Sequence, residues 1–269
     1  MTGRFHKMHG LGNDFVVIDA RVERIAMSAA RVSAIANRRT GIGCDQLILL
    51  EPSTIADARM RTWNPDGSEV EICGNAARAV ARLLGKSATL ETMSGPVTIA
   101  PDASGATVDM GLPRFDWADI PVAYAMDTAI MPVGWEDLQH PAAVNVGNPH
   151  IIFFVDDARQ VDLERLGPLI ENDPLFPDRI NVNVAQITGR TSLSLRVWER
   201  GAGITLACGT GACATAVAAI RSKRVTSPVT VTLPGGDLSI AWAPGETMRM
   251  TGPATHVFTG EIDWDIFAL

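Results

Sequence analysis

Two cysteines of this chain stand in the same local setting. Cys73 opens "CGNAARAVARLL" and Cys208 opens "CGTGACATAVAAI", in each case a Cys-Gly pair leading into an alanine-rich run that reads as a helix. A thiol at a helix start faces unpaired backbone N–H groups and the positive end of the helix dipole, and both favour thiolate over thiol. Such a cysteine is a base or a nucleophile. The same N–H groups can hold a carboxylate or phosphate, and Gly74 and Gly209 let the backbone approach a ligand closely. Two such mouths meeting across a domain cleft would hold one anion between two thiols. Inversion of a carbon needs that arrangement, because one group must remove a proton from one face while another returns a proton to the opposite face. Free cysteine is otherwise among the most buried residue types. Cys44 in "GIGCDQ" and Cys213 inside the second run lack the Cys-Gly setting and are assigned to packing.

The two settings belong to a longer repeat. Gly12-Asn13 recurs as Gly147-Asn148, Trp63 as Trp198, Cys73-Gly74 as Cys208-Gly209, and Ala77, Ala79 and Ala81 as Ala212, Ala214 and Ala216, each pair separated by 135 positions (208−73). One offset held without a gap over so many positions marks an internal duplication. Beyond the helices the register slips, with Met110 and Pro113 facing Met250 and Pro253. The expected fold is therefore α+β, two pseudo-symmetric domains that each wrap a strand-rich layer around one central helix. They join near "RFDWADIP" (114–121), which gives an N-terminal repeat of residues 1–115 and a C-terminal repeat of residues 116–259.

β-Branched content and flanking Gly, Pro and Asp predict strands at 12–20, 45–51, 88–93, 95–101 and 106–113, and again at 149–157, 181–187, 192–200, 229–235 and 236–242. Helices are predicted over 28–39, with Ser28 as N-cap, over 75–84 and over 208–221. The alternation suggests antiparallel pairing in mixed units. No charged residue falls between Cys208 and Ile220, so that helix should be surrounded on all sides, whereas Arg78 and Arg82 give the first copy's helix one wetter side.

Differences between the copies should encode the ligand. Where the first copy has "WNPDGSE" (63–69) the second has "WERGAGI" (198–204), so Asn64 faces Glu199, and at the same offset Gln46 faces Asn181. The adjacent carboxylate and guanidinium of Glu199-Arg200 can read the ammonium and carboxylate of an amino-acid group away from the reacting carbon; they also fit an exposed ion pair on a strand end. His150 and Glu199 are candidates for tuning the thiols, and His150 equally fits a hydrogen-bonded loop histidine. Asn13, Asn148 and Asn181 suit ligand contact or turn positions.

Composition narrows the partners. A formal net charge of −7 leaves no basic face for a phosphate backbone, which excludes nucleic acid, and no run of 18 apolar residues offers a membrane span. The C-x4-C spacing from Cys208 to Cys213 is not the paired C-x-x-C that zinc takes, so no metal is expected. A soluble chain with reduced thiols, in the cytosol, acting on a small polar molecule is the expectation.

Over its whole length the sequence resembles the diaminopimelate epimerase family. The resemblance rests on "MHGLGNDFVVID", "GIGCDQLIL", "WNPDGSEVEICGNAAR", "NVGNPHIIFFV", "INVNVAQI" and "VWERGAGITLACGTGACA", in family order and spacing. It implies a cytoplasmic, homodimeric enzyme without a cofactor that interconverts LL- and meso-diaminopimelate in lysine and peptidoglycan synthesis. It implies Cys73 and Cys208 as the acid/base thiols, with Gly74-Asn75 and Gly209-Thr210 holding the reacting end of the substrate. It further implies Asn13, Gln46, Asn64, Asn148, Asn181, Glu199 and Arg200 as substrate contacts, with His150 and Glu199 modulating the thiols. The implied domains are antiparallel, β-barrel-like sheets around a central helix, with the tail 260–269 returning to the first domain. Ala76 stands where the family often has glycine, in the first helical turn. A proline racemase or hydroxyproline epimerase would also use two cysteines, but a cyclic secondary amine leaves no use for Glu199-Arg200. A phenazine-biosynthesis-type isomerase lacks the paired thiols, and a redox protein joining Cys73 to Cys208 would need no substrate-reading amides.

Overall fold

A computed structural model describes residues 2–70 and 73–267. The chain forms two compact units, Met1–Asp109 with Thr251–Leu269, and Met110–Met250. In the first, β1 (Thr2–Gly10) and β2 (Asn13–Asp19) form a hairpin whose turn places Leu11 and Gly12 at φ of 56° and 86°, a conformation that glycine adopts without strain. Helix α1 (Ala29–Ala36), capped by the Ser28 hydroxyl on Arg31 N–H, then carries the chain to β3 (Gln46–Glu51), parallel to β2. β4 (Ala58–Trp63) returns antiparallel to β3 and pairs with the short β5 (Glu69–Val70). Helix α2 (Gly74–Leu84) crosses over to β6 (Ala88–Thr92), which lies parallel to β4 and continues antiparallel into β7 (Gly95–Asp102) and β8 (Gly105–Asp109). Alanine-rich α2 packs on β1, β2, β7 and β8 and stops at Gly85, which takes the left-handed conformation.

The second unit begins with a small hairpin, β9 (Gly134–Trp135) and β10 (Leu138–Gln139), and then repeats the first strand for strand. β11 (Ala142–Asn145) runs antiparallel to β12 (Pro149–Phe154). Helix α3 (Leu163–Glu171) leads to β13 (Asn181–Gly189), followed by β14 (Ser192–Glu199), β15 (Gly203–Ile204), helix α4 (Gly209–Arg221), β16 (Val229–Leu233), β17 (Gly236–Ala241) and β18 (Arg249–Gly252), within which the unit ends at Met250. The registers repeat with it. Phe15 opposite Gln46 becomes His150 opposite Asn181, Leu47 opposite Trp63 becomes Val182 opposite Trp198, and Trp63 opposite Glu69 becomes Trp198 opposite Ile204. After the longer α4 the offset grows to 141 (229−88), with Ala88 opposite Ile99 matched by Val229 opposite Ile240. α4 packs on β11, β12, β13, β14, β16 and β17, and its residues from Gly209 to Ala219 are buried.

Three expectations change. The sheets are mixed rather than antiparallel: β2 with β3, β4 with β6, β12 with β13 and β14 with β16 are parallel. Parallel neighbours need a crossover, and α1, α2, α3 and α4 are those crossovers. Arg78 does not wet α2, since it is fully buried, with its guanidinium donating to Asn75 Oδ1 at 2.8 Å and to the Pro253 carbonyl; Arg82 is the exposed one. The unit boundary falls earlier than residue 115, because Met110 N–H bonds Met248 O and Arg114 exchanges backbone bonds with Asn145. Residues 251–259 likewise join the first unit, where β19 (Thr255–Asp263) runs antiparallel to β1 and Trp264 and Phe267 beyond it enter the core with Val16, Ile35 and Leu47. Among the described residues no helix is long and apolar enough to cross a membrane.

Candidate active site

In the first unit Cys73 is the N-cap of α2, with extended backbone at φ −123° and ψ 111°. Its sulfur lies 3.8 Å from Asn13 Oδ1, and the same oxygen accepts a bond of 3.3 Å from Asn75 Nδ2. The hairpin turn before β2 therefore delivers Asn13 to the helix mouth. Behind it stands an ionic network. Asp45 Oδ2 accepts from Asn13 Nδ2 at 3.3 Å and from Asp14 N–H at 3.0 Å, and Arg38 bridges the Asp14 and Asp45 carboxylates while Lys7 reaches Asp14 and the Gly43 carbonyl. Burial opposes the Asp14 charge, but Arg38 and Lys7 hold its carboxyl well below the usual range. Gln46 and Asn64 form a separate pair, Gln46 Nε2 donating to Asn64 Oδ1 at 3.3 Å, while Gln46 Oε1 is a buried acceptor without a partner. Cys44 is buried, and burial pushes its thiol up to about 12, which fits packing and not chemistry.

In the second unit Cys208 is the N-cap of α4 with nearly the same backbone, φ −122° and ψ 107°. Its sulfur accepts the Gly211 N–H at 3.3 Å and lies 3.5 Å from the Thr210 hydroxyl. The helix start does not win here. Burial first, and then the neighbouring Glu199, push the Cys208 thiol well above its ordinary value, against the Thr210 and Gly211 bonds. Burial also raises the Glu199 carboxyl, opposed by bonds from Thr205 and from the Cys208 thiol. Burial and the Glu199 charge thus both favour the Cys208 thiol over its thiolate.

The Glu199-Arg200 pair splits, because neighbours at a strand end point to opposite sides. Glu199 turns to the Cys208 thiol, while the Arg200 guanidinium donates to the Asp178 carbonyl at 2.8 Å. Asn181 spends both ends of its amide on backbone, donating to Pro149 O and accepting from Arg200 N–H, so it holds Arg200 in place. His150 is fully buried, with one ring nitrogen on Asn148 Oδ1 at 2.9 Å and the other on Asn183 Nδ2 at 3.0 Å. Burial, with Arg200 in the same sense and the Asn183 bond against, lowers its pKa to about 3. A ring so engaged orients Asn148, and burial disfavours its charged form.

Four side chains that these networks engage were not singled out from the sequence: Asp45, Glu171, Asn183 and Thr205. Asn181 and Asn183 alternate along β13, so the period of 2 placed Asn183 on the same face as a chosen residue. Glu171 is buried at the end of α3 and accepts from the Trp198 indole, Gly201 N–H and Arg179, which fixes the turn that carries Arg200. Its sequence setting, "GPLIE", gives no hint of this. Among the described residues no group of three or more His, Cys, Asp or Glu could hold a metal ion.

Comparison with known proteins places this geometry. The hydroxyproline epimerase of Agrobacterium vitis, solved with bound trans-4-hydroxy-L-proline, shares the fold with a TM-score of 0.66, 15% identity and coverage of 97% of this chain and 91% of that one. Sequence similarity is far higher elsewhere. The diaminopimelate epimerase of Sphingopyxis alaskensis is 65% identical over 267 residues, covering 99% of this chain and 100% of the relative, and that of Rhizorhabdus wittichii is 64% identical, covering 99% and 98%. The family profile described as diaminopimelate epimerase matches residues 5–115 and 142–257, which takes in both cysteine-capped helices. A duplicated fold with a thiol at each equivalent helix mouth, matched by relatives along nearly its full length, makes this chain a member of the diaminopimelate epimerase family.

Proposed function

We propose that the protein interconverts LL- and meso-diaminopimelate by deprotonating and reprotonating one α-carbon with two thiols, Cys73 and Cys208. The observation that carries this reading is that the two residues cap equivalent helices in two topologically equivalent units of a chain in this family. The α-proton of an amino acid is weakly acidic, so carbanion formation needs a base placed in contact and a carboxylate held by fixed dipoles. The N–H groups at the starts of α2 and α4, with Asn75 and Thr210, supply those dipoles. Cys208, kept as thiol by burial and by Glu199, delivers a proton to one face. Cys73, half-buried beside Asn13, removes one from the other, and the roles exchange in the reverse direction. Asn13, Asn148, Gln46, Asn64 and Arg200 bind the substrate, and no prosthetic group enters a step. The working form is read as a cytoplasmic homodimer, and sedimentation at micromolar concentration tests the oligomeric state.

Reduced protein incubated with LL-diaminopimelate in deuterated water, without pyridoxal phosphate, should yield the meso isomer with deuterium at the inverted carbon. Absence of both overturns the assignment. Cys73→Ser and Cys208→Ser should each lose roughly 10²- to 10⁴-fold in turnover, and normal turnover in either removes that cysteine from the mechanism.

A further inference from the structure

Asn13 and Asn148 are the same residue in the two copies, 135 positions apart (148−13), yet their surroundings fix their amides in opposite senses. In the first unit Asp45 offers Asn13 only an acceptor. Asn13 must give it Nδ2, and its Oδ1 faces the α2 mouth, where it accepts from Asn75 Nδ2 at 3.3 Å and lies 3.8 Å from the Cys73 sulfur.

In the second unit the orientation descends from one backbone carbonyl. Ile151 O accepts from Asn183 at 3.2 Å, and a carbonyl can only accept, so the nitrogen end of the Asn183 amide points that way. That nitrogen also meets His150 Nδ1 at 3.0 Å, so Nδ1 must accept and the ring proton sits on Nε2. Nε2–H then donates to Asn148 Oδ1 at 2.9 Å, and Asn148 Nδ2 is the end left to a ligand. Reversing Asn183 would set its oxygen against Ile151 O. The tight site at Gly211, where an added Cβ would stand 2.8 Å from Asn183 Oδ1 and 3.2 Å from the Cys208 sulfur, packs this relay under the mouth of α4.

We infer that Asp45 and Asn183 are positioning residues that polarise two equivalent asparagines oppositely, Asn13 as an acceptor beside the Cys73 thiol and Asn148 as a donor for an anionic group such as the substrate carboxylate. The inference rests on the proposed epimerase chemistry for its ligand, but not for its wiring. The two copies are thereby wired differently: in one the asparagine accepts a hydrogen bond, in the other it is left to donate one.

The test has two arms. In wild-type protein, ¹⁵N NMR of His150, identified by the signal lost in His150→Gln, should show Nε2 protonated and Nδ1 bare between about pH 5 and pH 8. In kinetics, Asn183→Asp removes the donor that fixes the ring, and should raise KM roughly tenfold to a hundredfold with the His150 proton moved to Nδ1. Asp45→Asn weakens the acceptor that holds Asn13 Nδ2, leaving the Asn75 bond to orient that amide, and should lower kcat by a similar factor with little change in KM. A merely structural role would lower the yield of folded protein without splitting kcat from KM in opposite variants. A wild-type ring protonated on Nδ1 or titrating in that range overturns the inference, as does wild-type kcat and KM in either folded variant. Where a variant does not fold, the wild-type spectrum decides. If wild-type protein fails to epimerise diaminopimelate, the proposed function falls while the His150 spectrum still settles the wiring.

Discussion

At the scale of single residues, burial overrides the helix dipole. A helix start favours thiolate by a fraction of a charge, whereas removing Cys208 from water and setting Glu199 beside it favours the neutral thiol, and the second effect is larger. His150 shows the same priority. Its folded pKa, about 3, lies below the ordinary 6.5, so the unfolded chain binds the extra proton first. The sign follows: His150 contributes stability that is fully present above about pH 6.5 and is lost as pH falls towards 3. By about pH 5 the loss amounts to roughly 2 kcal/mol. Urea unfolding at pH 7.5 and pH 5 should show this difference in wild-type protein and a smaller one in His150→Gln, whose amide can replace both ring bonds. Equal pH dependence in the two would mean that His150 is not held neutral. The helix-mouth setting of Cys73 and Cys208 was legible from type and spacing, because a Cys-Gly pair before an alanine run is a local pattern. The uncharged state of His150 was not, because it depends on Asn183 from another strand.

At the scale of elements, helices and strands with regular local signals were readable and those stabilised from outside were not. Ser28 and the alanine runs announced α1, α2 and α4 to within a few residues. α3 carries Gly167 and Pro168 in its middle, which argue against a helix, and it forms because Leu163, Leu166 and Ile170 bury in the second core. Gly167 is there because Trp198 lies against it, an added Cβ meeting the indole at 2.4 Å. β1 and β19 read poorly for a similar reason, since the exposed face of β19 keeps polar and charged residues and its partner is far away in sequence. α3 also explains how Arg200 is held. Glu171→Ala would leave the Trp198 indole and Gly201 N–H without their acceptor and free Arg179, at a cost of roughly 2–4 kcal/mol. If the turn from Glu199 to Gly203 carries the distal reader, KM should also rise by about tenfold or more in Glu171→Ala. Calorimetry and steady-state kinetics together check both, and unchanged KM would detach this turn from recognition.

At the scale of the whole molecule, the first unit is discontinuous and the second is not. Residues 110–250 form one unit from a single stretch, so that fragment should unfold cooperatively on its own in urea. Residues 1–109 alone should not, because β1 would lose its pairing with β19, and Trp264 and Phe267 would leave the first core open. Adding the 251–269 segment as a peptide should restore cooperative structure by circular dichroism; folding of the bare 1–109 fragment would contradict this account.

The sequence by itself determined the duplication, the two cysteine-capped helices and the family, because these rest on residue types at a fixed offset and on periodicities that a chain carries locally. Tertiary structure decided the parallel pairings, the burial that keeps Cys208 a thiol, the separation of Glu199 from Arg200 and the opposite wiring of Asn13 and Asn148. Each depends on which groups from distant segments share a desolvated space, where a missing or added hydrogen-bond partner is felt most strongly. Two asparagines that are identical in the repeat thus become an acceptor and a donor once Asp45 stands behind one and His150 behind the other.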